Sequence, residues 1–135
     1  MFAKWIARIL GIVVALLAVA GLFVEGEHFG GFANVDLPLD IARIVIAIAL
    51  LWVGFAHVRR AALSTVLALV GIVYLLMGVI AIFDADLLGI LPTGFTGFDI
   101  AFHIVAGLLA LIAAFVPRRE EVDTRAPSGL PAARR

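Results

Sequence analysis

Four apolar stretches, residues 5–24, 41–58, 61–83 and 98–116, dominate the chain. At 1.5 Å per residue, runs of about 18–23 residues cover roughly 27–35 Å, matching a hydrocarbon core of about 30 Å. Hydrocarbon offers no partner to an unpaired backbone group, so each run is expected to be helical. Transmembrane strands would alternate in polarity over about ten residues, whereas residues 44–53 are apolar on every face, which excludes a barrel. The predicted class is all-α, a four-helix integral membrane bundle. Composition agrees: 64% hydrophobic, 15% charged and a mean hydropathy of +1.20 fit neither a soluble globular domain nor a disordered chain. With no cysteine, disulfides, thiolate metal sites and thiol nucleophiles are excluded.

The formal charge of zero hides a segregation along the chain. Lys4 and Arg8 open the first run, Arg59 and Arg60 join the second to the third, and Arg118, Arg119, Arg125, Arg134 and Arg135 follow the fourth. The two longer connections and their borders carry Glu25, Glu27, Asp36, Asp40, Asp84, Asp86 and Asp99. By the positive-inside rule both termini are expected in the cytoplasm and both longer loops outside. Trp5, Phe29, Phe32 and Phe95 suit interfacial anchoring. Ala18-Val19-Ala20 has the pattern of a signal-peptide cleavage site. The first run exceeds the usual apolar core of about 7–15 residues, however, and is expected to stay as a span. The segment 117–135, rich in proline and arginine, is predicted to be a disordered cytoplasmic tail.

Sliding the chain by 59–60 positions brings Gly11-Ile12-Val13 onto Gly71-Ile72-Val73, Asp40-Ile41-Ala42 onto Asp99-Ile100-Ala101, and Arg59-Arg60 onto Arg118-Arg119. The matches imply two tandem helical hairpins, with a one-residue slip in the outer loop. Gly11 and Ala18 then correspond to Gly71 and Gly78, small-residue stripes expected to pack closely where the first and third helices meet at the bundle centre. Gly107 gives the fourth helix similar potential.

Ionisable groups enter the spans near their outer ends, as Asp40 with Arg43 and Asp99 with His103. Spacings of three and four residues put each pair on one helix face. Both aspartates stand at expected helix starts, where a carboxylate accepts from orphan amides, and Arg43 could snorkel outward. The alternative is an outward pocket for a small anion, a lipid headgroup or a proton, since ionisable groups within spans tend to face a bundle interior or water. No catalytic set emerges, since Ser64 and Ser128 lie at the opposite face from His103, and no phosphate loop is present; a cofactor or metal site is not expected, because His57 lies at the opposite face from His28 and His103.

Gly71-Ile72-Val73-Tyr74, the Leu88-Gly89-Ile90-Leu91-Pro92 loop and Asp99 through His103 to Gly107 resemble a small four-helix bacterial membrane family, abundant in actinobacteria and catalogued as domain of unknown function 4383. The resemblance spans about residues 6–115. The family's Asp, His and Gly on the last helix match Asp99, His103 and Gly107. Where members carry a histidine early in the second helix, this chain has Arg43-Ile44. The resemblance implies a bacterial inner-membrane, multi-pass protein and no agreed activity.

The expectation is therefore a non-enzymatic interaction or accessory component, embedded in lipid, alone, as a homo-oligomer or within a larger membrane complex, and without a nucleic-acid partner. A small transporter or channel, or a headgroup-binding protein, would instead use Asp40, Arg43, Asp99 and His103.

Overall fold

The computed structural model describes residues 1–24, 28 and 30–117. Four helices follow in order: α1 (Phe2–Gly21), α2 (Leu37–Phe55), α3 (Arg60–Phe83) and α4 (Gly97–Phe115). Each is long and apolar enough to cross a membrane. The expected tail beyond Pro117, the expected anchor Phe29, and Glu25 and Glu27 lie outside the described residues.

All four helices start one to four residues before their apolar runs, two of them for evident local reasons. Helix α2 opens four residues before its apolar run because Asp36 is its N-cap and Pro38 occupies the first turn, where a missing amide hydrogen costs nothing. Helix α4 opens at Gly97 on a capping box: the Thr96 hydroxyl accepts from the Asp99 amide, while the Asp99 carboxylate accepts from the Thr96 amide. Helix α1 takes in Phe2, Ala3 and Lys4 and stops at Gly21, three residues short of the apolar run's end. The connection from Ala56 to Arg59 is only four residues long, so α2 and α3 are consecutive antiparallel helices.

Helix α1 packs chiefly along α2 and α3 along α4, both antiparallel, with lighter contacts between α1 and α4 and between α2 and α3. The small-residue stripes therefore do not meet at the bundle centre, which overturns that expectation. Gly11 lies against Leu51 of α2, and Gly78 against Ile104 and His103 of α4. Gly71 and Gly107 face each other. A Cβ on Gly71 would stand 2.9 Å from the Gly107 carbonyl, and one on Gly107 3.0 Å from the Gly71 carbonyl. The backbones touch there, and only glycine permits it. Ala18 is buried on the same face of α1.

The buried positions of α1 (Ala3, Ala7, Leu10, Gly11, Val14, Ala18, Gly21) recur sixty residues on in α3 (Leu63, Leu67, Val70, Gly71, Tyr74, Gly78, Ala81). The same interval carries the start, end and most buried positions of α2 onto those of α4. The one-residue slip suggested by the identities is thus absent from the helices. Arg43 matches His103, while Asp40 and Asp99 occupy adjacent, non-equivalent positions.

The main core runs between the helices through Leu10, Val14, Leu50, Val53, Leu67, Tyr74 and Ala110. A second, smaller cluster of Leu39, Ala81, Leu87, Leu91 and Phe95 sits under residues 84–96. Phe95 is buried there rather than anchoring at an interface. Outward-facing Leu16, Ile48, Leu69 and Val105 are each more than half exposed, an apolar mid-section that suits hydrocarbon better than water.

Lys4, Arg8, Arg59 and Arg60 gather at one end of the bundle, and Asp36, Asp40, Asp84, Asp86 and Asp99 at the other. At the cationic end, the orphan carbonyls of α2 and α4 are served by the opening turns of their neighbours. Lys4 donates to Ala56 O (3.0 Å) and Arg8 to Gly54 O (2.9 Å), while Arg60 donates to Val116 O (2.9 Å) and Ser64 to Ala114 O (2.5 Å).

Candidate functional site

At the acidic end, polar side chains that would be costly in hydrocarbon are drawn inward. Asn34, Asp36, Asp40, Arg43, Asp99 and His103 are all buried. The four residues expected from the sequence are brought together: Asp40 meets Arg43 as their spacing suggested, whereas His103 meets the Asp99 backbone rather than its carboxylate.

Arg43 does not snorkel outward. It sits two turns into α2 and turns into the bundle, because acceptors from three chain segments converge on it. One amino nitrogen donates to Asp40 Oδ1 (2.9 Å) and to the Asn34 carbonyl (2.7 Å), and the other reaches Asp99 Oδ1 (3.5 Å). Asp40 is no helix cap either: it lies in the first turn of α2, its carboxylate packed over the Cα of Gly21 where any side chain would collide with it.

Asp99 does cap its helix, and it does more. Its Oδ2 accepts from the Asn34 amide (2.8 Å), the Thr96 amide (3.0 Å) and the Thr96 hydroxyl (2.8 Å). The same hydroxyl lies against the Phe32 carbonyl, so its single proton serves one acceptor at a time. One carboxylate thereby ties the start of α4 to the loop leading into α2.

His103 is bonded to the Asp99 backbone carbonyl rather than to its carboxylate, at 2.7 Å from Nδ1. A carbonyl only accepts, so Nδ1 carries a proton. The ring is enclosed by Phe95 (4.5 Å between centroids), Tyr74 (4.7 Å) and Phe102 (5.8 Å).

Asn34, Asp36, Thr93 and Thr96 join the site without having been singled out as site residues from the sequence. The Asn34 amide nitrogen lies 2.8 Å from Asp36 Oδ2, 2.7 Å from Thr93 Oγ1 and 2.6 Å from Gly94 O, and its side-chain oxygen accepts from the Asp36 amide (2.9 Å). Asp36 Oδ2 also accepts from the Thr93 amide (3.0 Å). Burial pushes the Asp36 carboxyl up, but the bonds from Asn34 and Thr93 outweigh it and hold the group below its ordinary value of 3.8. The Thr96-x-x-Asp99 spacing is a signal that could have found the capping box; the roles of Asn34 and Thr93, about sixty residues apart, carry no local signal.

Among the described residues every fully buried side-chain nitrogen or oxygen has a hydrogen-bond partner. No group of three or more His, Cys, Asp or Glu among them is placed to hold a metal ion. The arrangement can clamp two loops onto two helices, hold a proton at His103 and fix one arginine between two carboxylates. Comparison with protein-family models, curated proteins and solved structures finds no match.

Proposed function

We propose that this chain is a multi-pass protein of the bacterial inner membrane, two tandem hairpins with cytoplasmic termini, serving as a non-enzymatic interaction or accessory component. Kinship with the four-helix family it resembles belongs to the same proposal.

The observation that carries the reading is the closure of the polar cluster on itself. A transported ion or bound headgroup needs donors or acceptors left over, and among the described residues no fully buried side-chain nitrogen or oxygen of the cluster lacks a partner. Below it, the seams between helices are filled by Leu50, Val53, Leu67, Ala110 and Ala113, each wholly buried. Such a seam provides no polar route. The shared sixty-residue interval of the buried positions supports the tandem hairpins.

Reconstitution tests this. Proteoliposomes loaded with pH- and anion-sensitive dyes should leak no faster than empty vesicles, and a partner or second copy should copurify stoichiometrically from native membranes. Flux that disappears in His103→Ala would replace this reading with that of a small transporter.

A further inference from the structure

We propose that Arg8, assisted by Lys4, forms a seat for the phosphate of a phospholipid headgroup at the cationic end of the bundle, away from the polar cluster and independent of the accessory role.

The seat is built from both helices of the first hairpin. Arg8 lies two turns into α1, its stem laid over Gly54 of α2, where a Cβ would stand 3.0 Å from Arg8 Cγ. Its Nε donates to the Gly54 carbonyl (2.9 Å), and its guanidinium carbon lies 5.4 Å from the Trp5 ring centroid and 4.8 Å from that of Phe55. These contacts fix the plane of the guanidinium by a cation–π and hydrogen-bonded clasp. They leave its two terminal amino groups without a protein partner among the described residues, and these groups reach the surface, since no fully buried nitrogen is unpaired. Lys4, one turn earlier on the same face, gives one bond to Ala56 O and keeps further protons.

No carboxylate among the described residues answers this charge. Among the described residues both ion pairs belong to Arg43, and the acids lie at the other end. A fixed guanidinium offering paired donors suits two oxygens of a phosphate, which an ammonium matches less well.

The rings beside the guanidinium favour a lipid over a free anion. Trp5 and Phe55, which flank the guanidinium, are 56% and 57% exposed, apolar surface that acyl chains would cover and inorganic phosphate would not. Hairpin closure does not call for an arginine at this position, either. Sixty residues on, Lys4, Trp5 and Arg8 are matched by Ser64, Thr65 and Ala68, and α4 is served by Arg60 and Ser64 instead.

The test uses the full chain in dodecyl maltoside, titrated with dioleoylphosphatidylglycerol and followed by native mass spectrometry and tryptophan fluorescence, with inorganic phosphate as competitor. Wild type should retain one lipid. Arg8→Gln should weaken it about tenfold or more, the loss of charge-assisted bonds. Arg8→Lys should recover part of the affinity. Trp5→Ala, at an exposed position that leaves the core intact, should weaken it as well. Unchanged lipid binding in both Arg8→Gln and Trp5→Ala would overturn the proposal. So would displacement of the lipid by inorganic phosphate at equal concentration, which would mark a plain anion site.

Discussion

Replacing Arg43 by methionine keeps the length and bulk of the side chain while removing the cation at the centre of the buried cluster. Three contacts vanish: those to Asn34 O at 2.7 Å, Asp40 Oδ1 at 2.9 Å and Asp99 Oδ1 at 3.5 Å. Removing one partner of a buried ion pair costs about 3–5 kcal/mol, because the other charge stays desolvated. Asp99 is cushioned, since its Oδ2 keeps the Asn34 amide, the Thr96 amide and the Thr96 hydroxyl. The penalty then falls towards the lower end, about 3 kcal/mol. At about 3 °C per kcal/mol for a bundle of this size, the melting midpoint in detergent should drop by roughly 10 °C. Circular dichroism on heating is the assay, with limited proteolysis to report whether residues 30–36 come loose. Adding Asp40→Leu to Arg43→Met should restore part of the loss, because the buried carboxylate that faced the arginine is then gone. A single variant melting within 2 °C of wild type, or a double variant less stable than the single one, would refute the reasoning.

Other consequences follow from the same contacts. Gly71→Ala should destabilise by about 1–2 kcal/mol, overpacking against the Gly107 carbonyl exceeding the gain in helix propensity, whereas Gly97→Ala, whose Cβ meets nothing within 4 Å, should change stability by less than about 0.5 kcal/mol in the same melt. Gly21→Ala should push the Asp40 carboxylate off Arg43 and cost about 1.5–3 kcal/mol; the loss should be much smaller when introduced into Arg43→Met, as a double-mutant cycle would record. For Asp36, the folded carboxyl titrates below its ordinary 3.8, so its contribution is present above that value and is lost as pH falls through the folded value. Melting between pH 7 and 3 should therefore show a decline below about pH 4 that is shallower in Asp36→Asn.

The helices were legible because length and unbroken apolarity suffice to specify them in lipid. Their ends were not, because hydropathy is blind to Asp36, Pro38 and the Thr96–Asp99 box, which set where the backbone turns. The cluster was half legible. Asp40, Arg43, Asp99 and His103 were visible as costly charges in apolar runs, but which way Arg43 turns depends on Asp99, fifty-six residues away. His103 shows the same limit: spacing pairs it with Asp99, yet the carboxylate was already engaged by Asn34, Thr96 and Arg43, leaving the backbone carbonyl. The small-residue stripes misled because composition marks a close-packing face without saying which helix faces it.

Single cysteines test the account most directly, since the chain has none of its own. Leu88→Cys stands at an exposed position near the acidic end and Arg59→Cys at the cationic end. In intact cells an impermeant maleimide should modify Cys at 88 and reach Cys at 59 only after permeabilisation. Labelling of position 59 from outside, or of both positions in intact cells, would contradict a membrane-spanning bundle with its basic end in the cytoplasm.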